Sequence, residues 1–342
     1  MKILLIGPCP PPHGGISVHV AGIHRRLRGA GVRCEMLNST NASRPGFAIR
    51  LAQYSLCGWT LHLHVNGHNW TSWALALECG LAPSGGCVLT VHSGMTPGYV
   101  ARAAGIERAM LRAAGKLYRR IVCVNEAIRD ALERTGAFDG RLEVAPAYLG
   151  REGSRQEIDA GLASWIEGHR PLLSTAVFFR PEYGVDVLIE GLGRLRQRYP
   201  SIGCLVMGSG ETSQAEKMIR EAGLGENVRL LGDVSHETCL AVMAQSDVFA
   251  RPTLADGDSI SVREAVALGV PVVASRVGTR PDGVRLFELG DSAAMAAQIE
   301  SALEFPRREA SKQAASHQNG SMDRLLEIYR EISPMEESLV SA

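Results

Sequence analysis

The chain has 342 residues, 36 basic and 36 acidic side chains, 45% apolar residues and 21% charged ones. Single cores stop growing near about 250–300 residues, so this length calls for two domains. Balanced charge excludes a global field that would hold nucleic acid or an anionic bilayer, and the apolar fraction excludes disorder.

The opening MKILLIG meets Pro8 before it is long enough for a signal-peptide core or a membrane span, so it reads as a buried first strand of a cytoplasmic protein. Short apolar runs then alternate with amphipathic stretches, the pattern of parallel strands joined by helices. Strands are expected at 2–7, 33–37, 61–65, 87–91, 121–124 and 142–144, with a helix at 18–29. Eight cysteines without a C-x-x-C pair read as reduced core residues.

The rhythm weakens across 150–170, where REGSRQEIDAG reads as a linker, and restarts with LLSTAVF. Further strands are expected at 203–207, 228–231, 248–250 and 271–274, with helices at 185–198, 213–222, 236–245 and 261–268. After the polar run SKQAASHQNGS, apolar residues at Leu325, Leu326, Ile328, Tyr329 and Ile332 form one last amphipathic helix that needs a groove. The expected domains are 1–155 and 156–320, with 321–342 as a helix returning to the first domain, plus a tail. In open α/β sheets ligands sit beyond the carboxyl ends of strands, so the motifs should follow strands and the site should lie in a cleft between two such domains.

Three segments fit that rule. Gly14 and Gly15 precede the first helix, where glycines let backbone N–H groups approach a phosphate, although a turn needing positive φ explains them equally. Gly208 and Gly210 open a partial dinucleotide fingerprint whose third glycine is Ser213, and a tight strand-to-helix turn accounts for them better. In ARPTLADGDSISVREAVALGVPVVAS, Asp256 and Glu264 bracket a helix entry whose Ser259, Ile260 and Ser261 amides suit a diphosphate.

That last segment resembles the E-x7-E region of glycosyltransferase family 4, including the run from Glu264 to Ser275. The resemblance implies a GT-B fold: two Rossmann-like, doubly wound α/β domains, the first for acceptor and the second for donor. It implies a retaining, metal-independent transferase acting on a nucleoside-diphosphate sugar. Carried over by position, Glu264 holds the ribose, Asp256 the donor sugar, the 259–261 amides the phosphates, and His92 in LTVHSG positions the transferred sugar. Arg180 neutralises the leaving diphosphate.

Two departures stand out. Asp256 replaces the usual first Glu, and Tyr183 stands where a Lys normally follows the Arg, so one cation is missing unless Arg251 or Arg263 replaces it. Asp256-Gly257-Asp258 is also a D-x-D triplet, but its place in a helix entry and its shortage of oxygen ligands argue against a metal. His62, His64 and His68 lack cysteine or carboxylate partners at zinc spacing and read as core or substrate-facing residues. The basic segment 101–120 could rest on a membrane surface holding a lipid-linked acceptor, or simply be a solvated face.

The expected function is therefore transfer of a sugar to a glycan, lipid-linked or small-molecule acceptor, with bacterial surface polysaccharide synthesis as its context and no metal or other cofactor. A catalytically degenerate nucleotide-sugar-binding protein and a GT-B epimerase or hydrolase are the alternatives.

Overall fold

The computed structural model describes residues 1–40, 44–138, 140–150, 158–304 and 320–333. The chain forms two compact units, the first from Met1–Pro10, Ile16–Leu149 and Asn319–Ala342, the second from Pro11–Gly15 and Gly150–Gln318. Most of the expected linker and of the polar run before the last helix lie outside the described residues.

In the first unit β1 (Lys2–Gly7), β2 (Arg33–Asn38), β3 (Thr60–Val65), β4 (Gly86–Val91), β5 (Arg120–Cys123) and β6 (Leu142–Val144) form one parallel sheet in the order β2-β1-β3-β4-β5-β6. The central strands β3 and β4 are buried along their whole length, as parallel strands covered on both faces must be, whereas the edge strand β2 is only partly buried. Helices α1 (Gly15–Gly29), α2 (Arg44–Leu56), α3 (Trp70–Gly80), α4 (Thr96–Arg102), α5 (Gly105–Leu117) and α6 (Glu126–Glu133) connect them. Asn69 and Asn125 cap α3 and α6 through bonds of 3.0 and 2.9 Å from the Ser72 and Ile128 N–H groups.

The second unit repeats the plan with β7 (Leu172–Phe178), β8 (Gly203–Ser209), β9 (Val228–Gly232), β10 (Val248–Arg251), β11 (Val272–Ser275) and β12 (Arg285–Phe287), in the order β12-β11-β10-β7-β8-β9. Its helices are α7 (Ala160–Gly168), α8 (Val185–Arg198), α9 (Ser213–Glu221), α10 (His236–Gln245), α11 (Ile260–Ala267) and α12 (Ser292–Leu303). Alternation along the strands builds two cores. Leu173, Val177, Cys204, Val206, Val248 and Ala250 face α8 and α12, while Leu172, Leu205, Met207, Phe249 and Ala274 face α7, α10 and α11.

The linker reading of 150–170 was wrong in part, because α7 occupies the stretch. Asp159 caps it at 3.0 Å from the Leu162 N–H, and Leu162 and Ile166 are buried in the second core. Polar flanks masked a two-turn helix with only two anchoring side chains.

The last helix, α13 (Gly320–Ile332), belongs to the first unit and buries Met322, Leu325, Ile328, Tyr329 and Ile332 against Ile3, Leu5 and the α1 residues Val20, Ile23 and Leu27. Arg324 grips Glu143 with Nε and Nη2 at 2.7 and 2.9 Å, a two-pronged pair that sets the helix against the β6 edge. Among the described residues no helix is long and apolar enough to cross a membrane, and all eight cysteines are free.

Candidate active site

In the second unit the strand order reverses between β10 and β7, which pair directly. In such sheets the crevice at the carboxyl ends of the two diverging strands is where ligands bind. The loop after β7 carries Arg180 and the short 3-10 turn Pro181–Tyr183; the loop after β10 carries 252–259 and enters α11. Candidates from two separate sequence segments therefore share one end of the sheet. The loops touch at Gly184, whose φ is +65° and where a Cβ would stand 2.0 Å from the Pro252 carbonyl oxygen, so no side chain fits there.

Asp256 does not stand free. Its Oδ2 accepts bonds from Arg251 Nε at 3.1 Å and Arg280 Nη1 at 2.9 Å, and from the Thr253 hydroxyl at 3.3 Å. Burial alone would raise its pKa, but attraction to the two guanidinium groups outweighs this and holds the carboxyl below its ordinary range. Burial, together with Arg251, pulls Arg280 down from a value so high that it stays charged. Two cations on one anion leave a surplus positive charge at the loop.

Tyr183 fits around this cluster. The Arg251 guanidinium lies 5.3 Å from the centre of its ring, and burial pushes the phenol upward. Thus, where a lysine is usual, an uncharged ring covers an arginine supplied by β10. Arg263, the other substitute considered, is tied to Asp258 at 2.6 Å. Both carboxylates of the D-x-D triplet are consequently ion-paired to arginines. Arg180 lies with its guanidinium 5.4 Å from the Phe178 ring centre.

Glu264 lies in the first turns of α11 and is only 8% exposed, with its Oε1 2.6 Å from Nε2 of His236. His236 opens α10, whose N-terminal amide at Thr238 is capped by Ser235 at 3.1 Å. Ser259 caps α11, its hydroxyl 3.5 Å from the Val262 N–H and 3.2 Å from the Ser261 hydroxyl. The α11 N-terminus, with Ile260 and Ser261, thus presents backbone donors beside a carboxylate held by a histidine.

Gly208 and Gly210 have φ of +149° and +121° at the end of β8. A Cβ on Gly208 would fall 1.6 Å from the carbonyl oxygen of its register partner Val177, so that glycine is required by the close approach of the paired β7 backbone. Gly14 lies in Pro11–Gly15, which groups with the second unit, and a Cβ there would meet the Phe178 ring at 2.5 Å; Gly15 begins α1.

His92 lies in the first unit, just after β4, among other histidines. His64 Nδ1 is 3.2 Å from His92 Nε2, and the His19 ring centre is 5.1 Å from that of His92. His62 and His64 do share a face of β3, as alternation requires, with ring centres 4.1 Å apart. His62 is bonded on both sides, Nε2 to the Thr90 hydroxyl at 2.7 Å and Nδ1 to the Tyr329 hydroxyl at 2.5 Å. Burial pulls His62 down to about 3 and His19 to about 4, the latter against a bond to the Ala147 carbonyl.

His236, Arg280 and His19 were missed in the sequence. His236 is 28 positions from Glu264 and Arg280 is 24 from Asp256, so only the sheet order brings them together. A histidine opening the helix after β9, at the same sheet end as Glu264, was the one available signal.

Solved structures share this architecture. Sucrose-phosphate synthase from Thermosynechococcus elongatus superposes with a TM-score of 0.75 at 17% identity, covering 97% of this chain and 99% of that one. HepE of Anabaena in complex with UDP-glucose gives 0.69 at 15% identity, covering 97% and 98%. The fold is that of the GT-B glycosyltransferases.

Residues 170–304 match the family described as Glycosyl transferases group 1. The chain is also similar to the GDP-mannose-dependent alpha-(1-6)-phosphatidylinositol monomannoside mannosyltransferase of Mycolicibacterium smegmatis, 34% identical over 125 residues, which are 34% of this chain and 33% of that protein. With the phosphatidyl-myo-inositol mannosyltransferase of Mycobacterium leprae it shares 32% identity over 146 residues, 39% of this chain and 38% of that one. The matched region spans little more than a third of these relatives' lengths. On this segment the chain is similar to the group 1 glycosyltransferases, in line with the E-x7-E resemblance.

Proposed function

We propose that this chain is a retaining, metal-independent glycosyltransferase that takes a sugar from a nucleoside diphosphate. The observation that carries the reading is Glu264 at the start of α11, buried, fixed by His236, and adjacent to the helix amides at the strand-order reversal of the group 1 segment. In this reading Glu264 accepts the ribose hydroxyls and the amides of Ser259, Ile260 and Ser261 hold the diphosphate. Arg180 and the surplus charge of the Arg251–Asp256–Arg280 cluster offset the negative charge that grows on the leaving group.

The anomeric carbon–oxygen bond breaks with its electron pair going to the diphosphate. The acceptor oxygen attacks the same face, and its proton passes to the departing phosphate oxygen. The protein's contribution is placement and charge stabilisation, and His92 is the residue that the family resemblance assigns to positioning the transferred sugar. Asp256 is held by two arginines through Oδ2, which fixes its carboxylate for the donor-sugar contact that the resemblance implies. GDP-mannose is the first donor to test, from the names of the mycobacterial relatives.

The acceptor is a glycan or lipid-linked glycan of a bacterial surface polysaccharide, met on the cytoplasmic side of the membrane. Exposed Arg102, Arg108, Arg112, Lys116 and Arg119, with Ile106 76% exposed among them, form the surface for a peripheral contact. A cavity of about 270 Å³ lined in part by Arg108, Arg112 and Arg134 lies on the same face.

The test is incubation with radiolabelled GDP-mannose, UDP-glucose and UDP-N-acetylglucosamine and a bacterial lipid extract, in EDTA. Label transferred with the anomeric configuration kept, and lost in Glu264→Ala, is the expected result. Donor turnover without any acceptor would favour a hydrolase or epimerase. Binding without turnover would favour a degenerate nucleotide-sugar-binding protein.

A further inference from the structure

We propose that His19, His64 and His92 form a site for a divalent transition ion of the zinc class within the first unit. One ring nitrogen from each lies within 4.8 Å of the others. His64 Nδ1 and His92 Nε2 are 3.2 Å apart, which is close to the edge of a tetrahedron drawn around zinc with Zn–N bonds of about 2.0–2.1 Å.

The surroundings favour ligation. His19 Nδ1 is held by the Ala147 carbonyl at 2.6 Å, so that nitrogen carries the proton and Nε2 keeps a free lone pair, the usual way a metal-binding imidazole is oriented. His64 is only 1% exposed and its Nδ1 faces His92 Nε2, so an ion at that edge would take one nitrogen from each ring. The three residues come from α1, β3 and the end of β4, elements locked into the first sheet and its covering helix, so the donors are set by the core rather than by a mobile loop. Burial also favours the neutral imidazole in all three, the form that binds metal. Three neutral ligands leave the fourth position of the ion to water or hydroxide.

Because His92 is the residue that would position the transferred sugar, the ion would compete with that role. Binding itself does not rest on the transferase reading.

The experiment is equilibrium dialysis of the untagged full chain against Zn²⁺, and against Co²⁺ as a spectroscopic probe. The expected result is one ion per chain, with a visible Co²⁺ spectrum of tetrahedral nitrogen–oxygen type and no thiolate charge-transfer band. Uptake should be lost in His19→Gln, whose fold is verified by circular dichroism, and kept in His68→Ala, whose ring lies outside the trio. Three results would each overturn the proposal: no stoichiometric uptake by the native chain at micromolar ion, uptake retained in folded His19→Gln, or a thiolate band in the native chain, which needs no variant to fold.

Discussion

Replacing Asp256 by asparagine removes the carboxylate that bonds both Arg251 and Arg280. The side chains of Arg280, Arg251 and Asp256 are 4%, 10% and 11% exposed, so solvent cannot screen the two guanidinium groups left behind. Uncompensated buried charge of this kind costs about 3–5 kcal/mol. For a unit of this size each kcal/mol lowers the melting temperature by about 2–4 °C, so the endotherm of the second unit should fall by about 6–20 °C. Removing Arg280 instead, as Arg280→Met, leaves a one-to-one pair and should cost less. Because Asp256 titrates below its ordinary range when folded, its contribution is complete above the unfolded carboxylate pKa of about 3.9 and is lost as pH falls through the lower folded value. The deficit of Asp256→Asn should therefore be constant near neutrality and shrink in strong acid. Scanning calorimetry of the native chain and both variants measures it. A melting temperature for Asp256→Asn within 1–2 °C of the native value, by the same conversion of about 2–4 °C per kcal/mol, would show that the cluster is not the charge-balanced unit described.

Three further outcomes are expected. His236→Ala should weaken nucleoside-diphosphate binding about tenfold, about 1.4 kcal/mol by calorimetry, because Glu264 loses its 2.6 Å partner; unchanged affinity would show that Glu264 needs no support. Gly208→Ala should destabilise the second unit by about 3 kcal/mol in urea, since its Cβ would collide with the Val177 carbonyl, and near-native stability would refute the close approach of β7 and β8 there. Tyr329→Phe should cost about 1–3 kcal/mol of first-unit stability by leaving His62 Nδ1 unpaired in the core, and a neutral effect would mean that the hydroxyl carries no weight.

Much of the fold was legible because both sheets are parallel and doubly covered. Most of their strands are short and rich in apolar residues, and eleven of the twelve were placed from pattern alone; β12, three residues long with a single fully buried side chain, left no signal. Helices α2, α4 and α6 were given no bounds, and α3 and α12 were missed for a different reason: WTSWALALECG and SAAMAAQIESAL are apolar or small nearly all round, so they show little amphipathic period. Asp256 and Glu264 were visible through their spacing around a helix entry. What the spacing could not convey is that Asp256 is gripped at Oδ2 by arginines while Glu264 is held by a histidine, because Arg280 and His236 arrive from other strand–helix units. Long-range pairs of this kind are set by sheet order, which no local pattern encodes.

The central claim is that the second unit binds a nucleoside diphosphate through Glu264 and the α11 amides. The most direct measurement is a thermal-shift panel of UDP, GDP, ADP, CMP and NAD, with Mg²⁺ and with EDTA. A ligand at about a hundredfold its dissociation constant adds about 2.7 kcal/mol to native stability. The account predicts stabilisation by one diphosphate, equal in Mg²⁺ and EDTA and absent in Glu264→Ala. Silence toward every diphosphate, or a response to NAD alone, would contradict it.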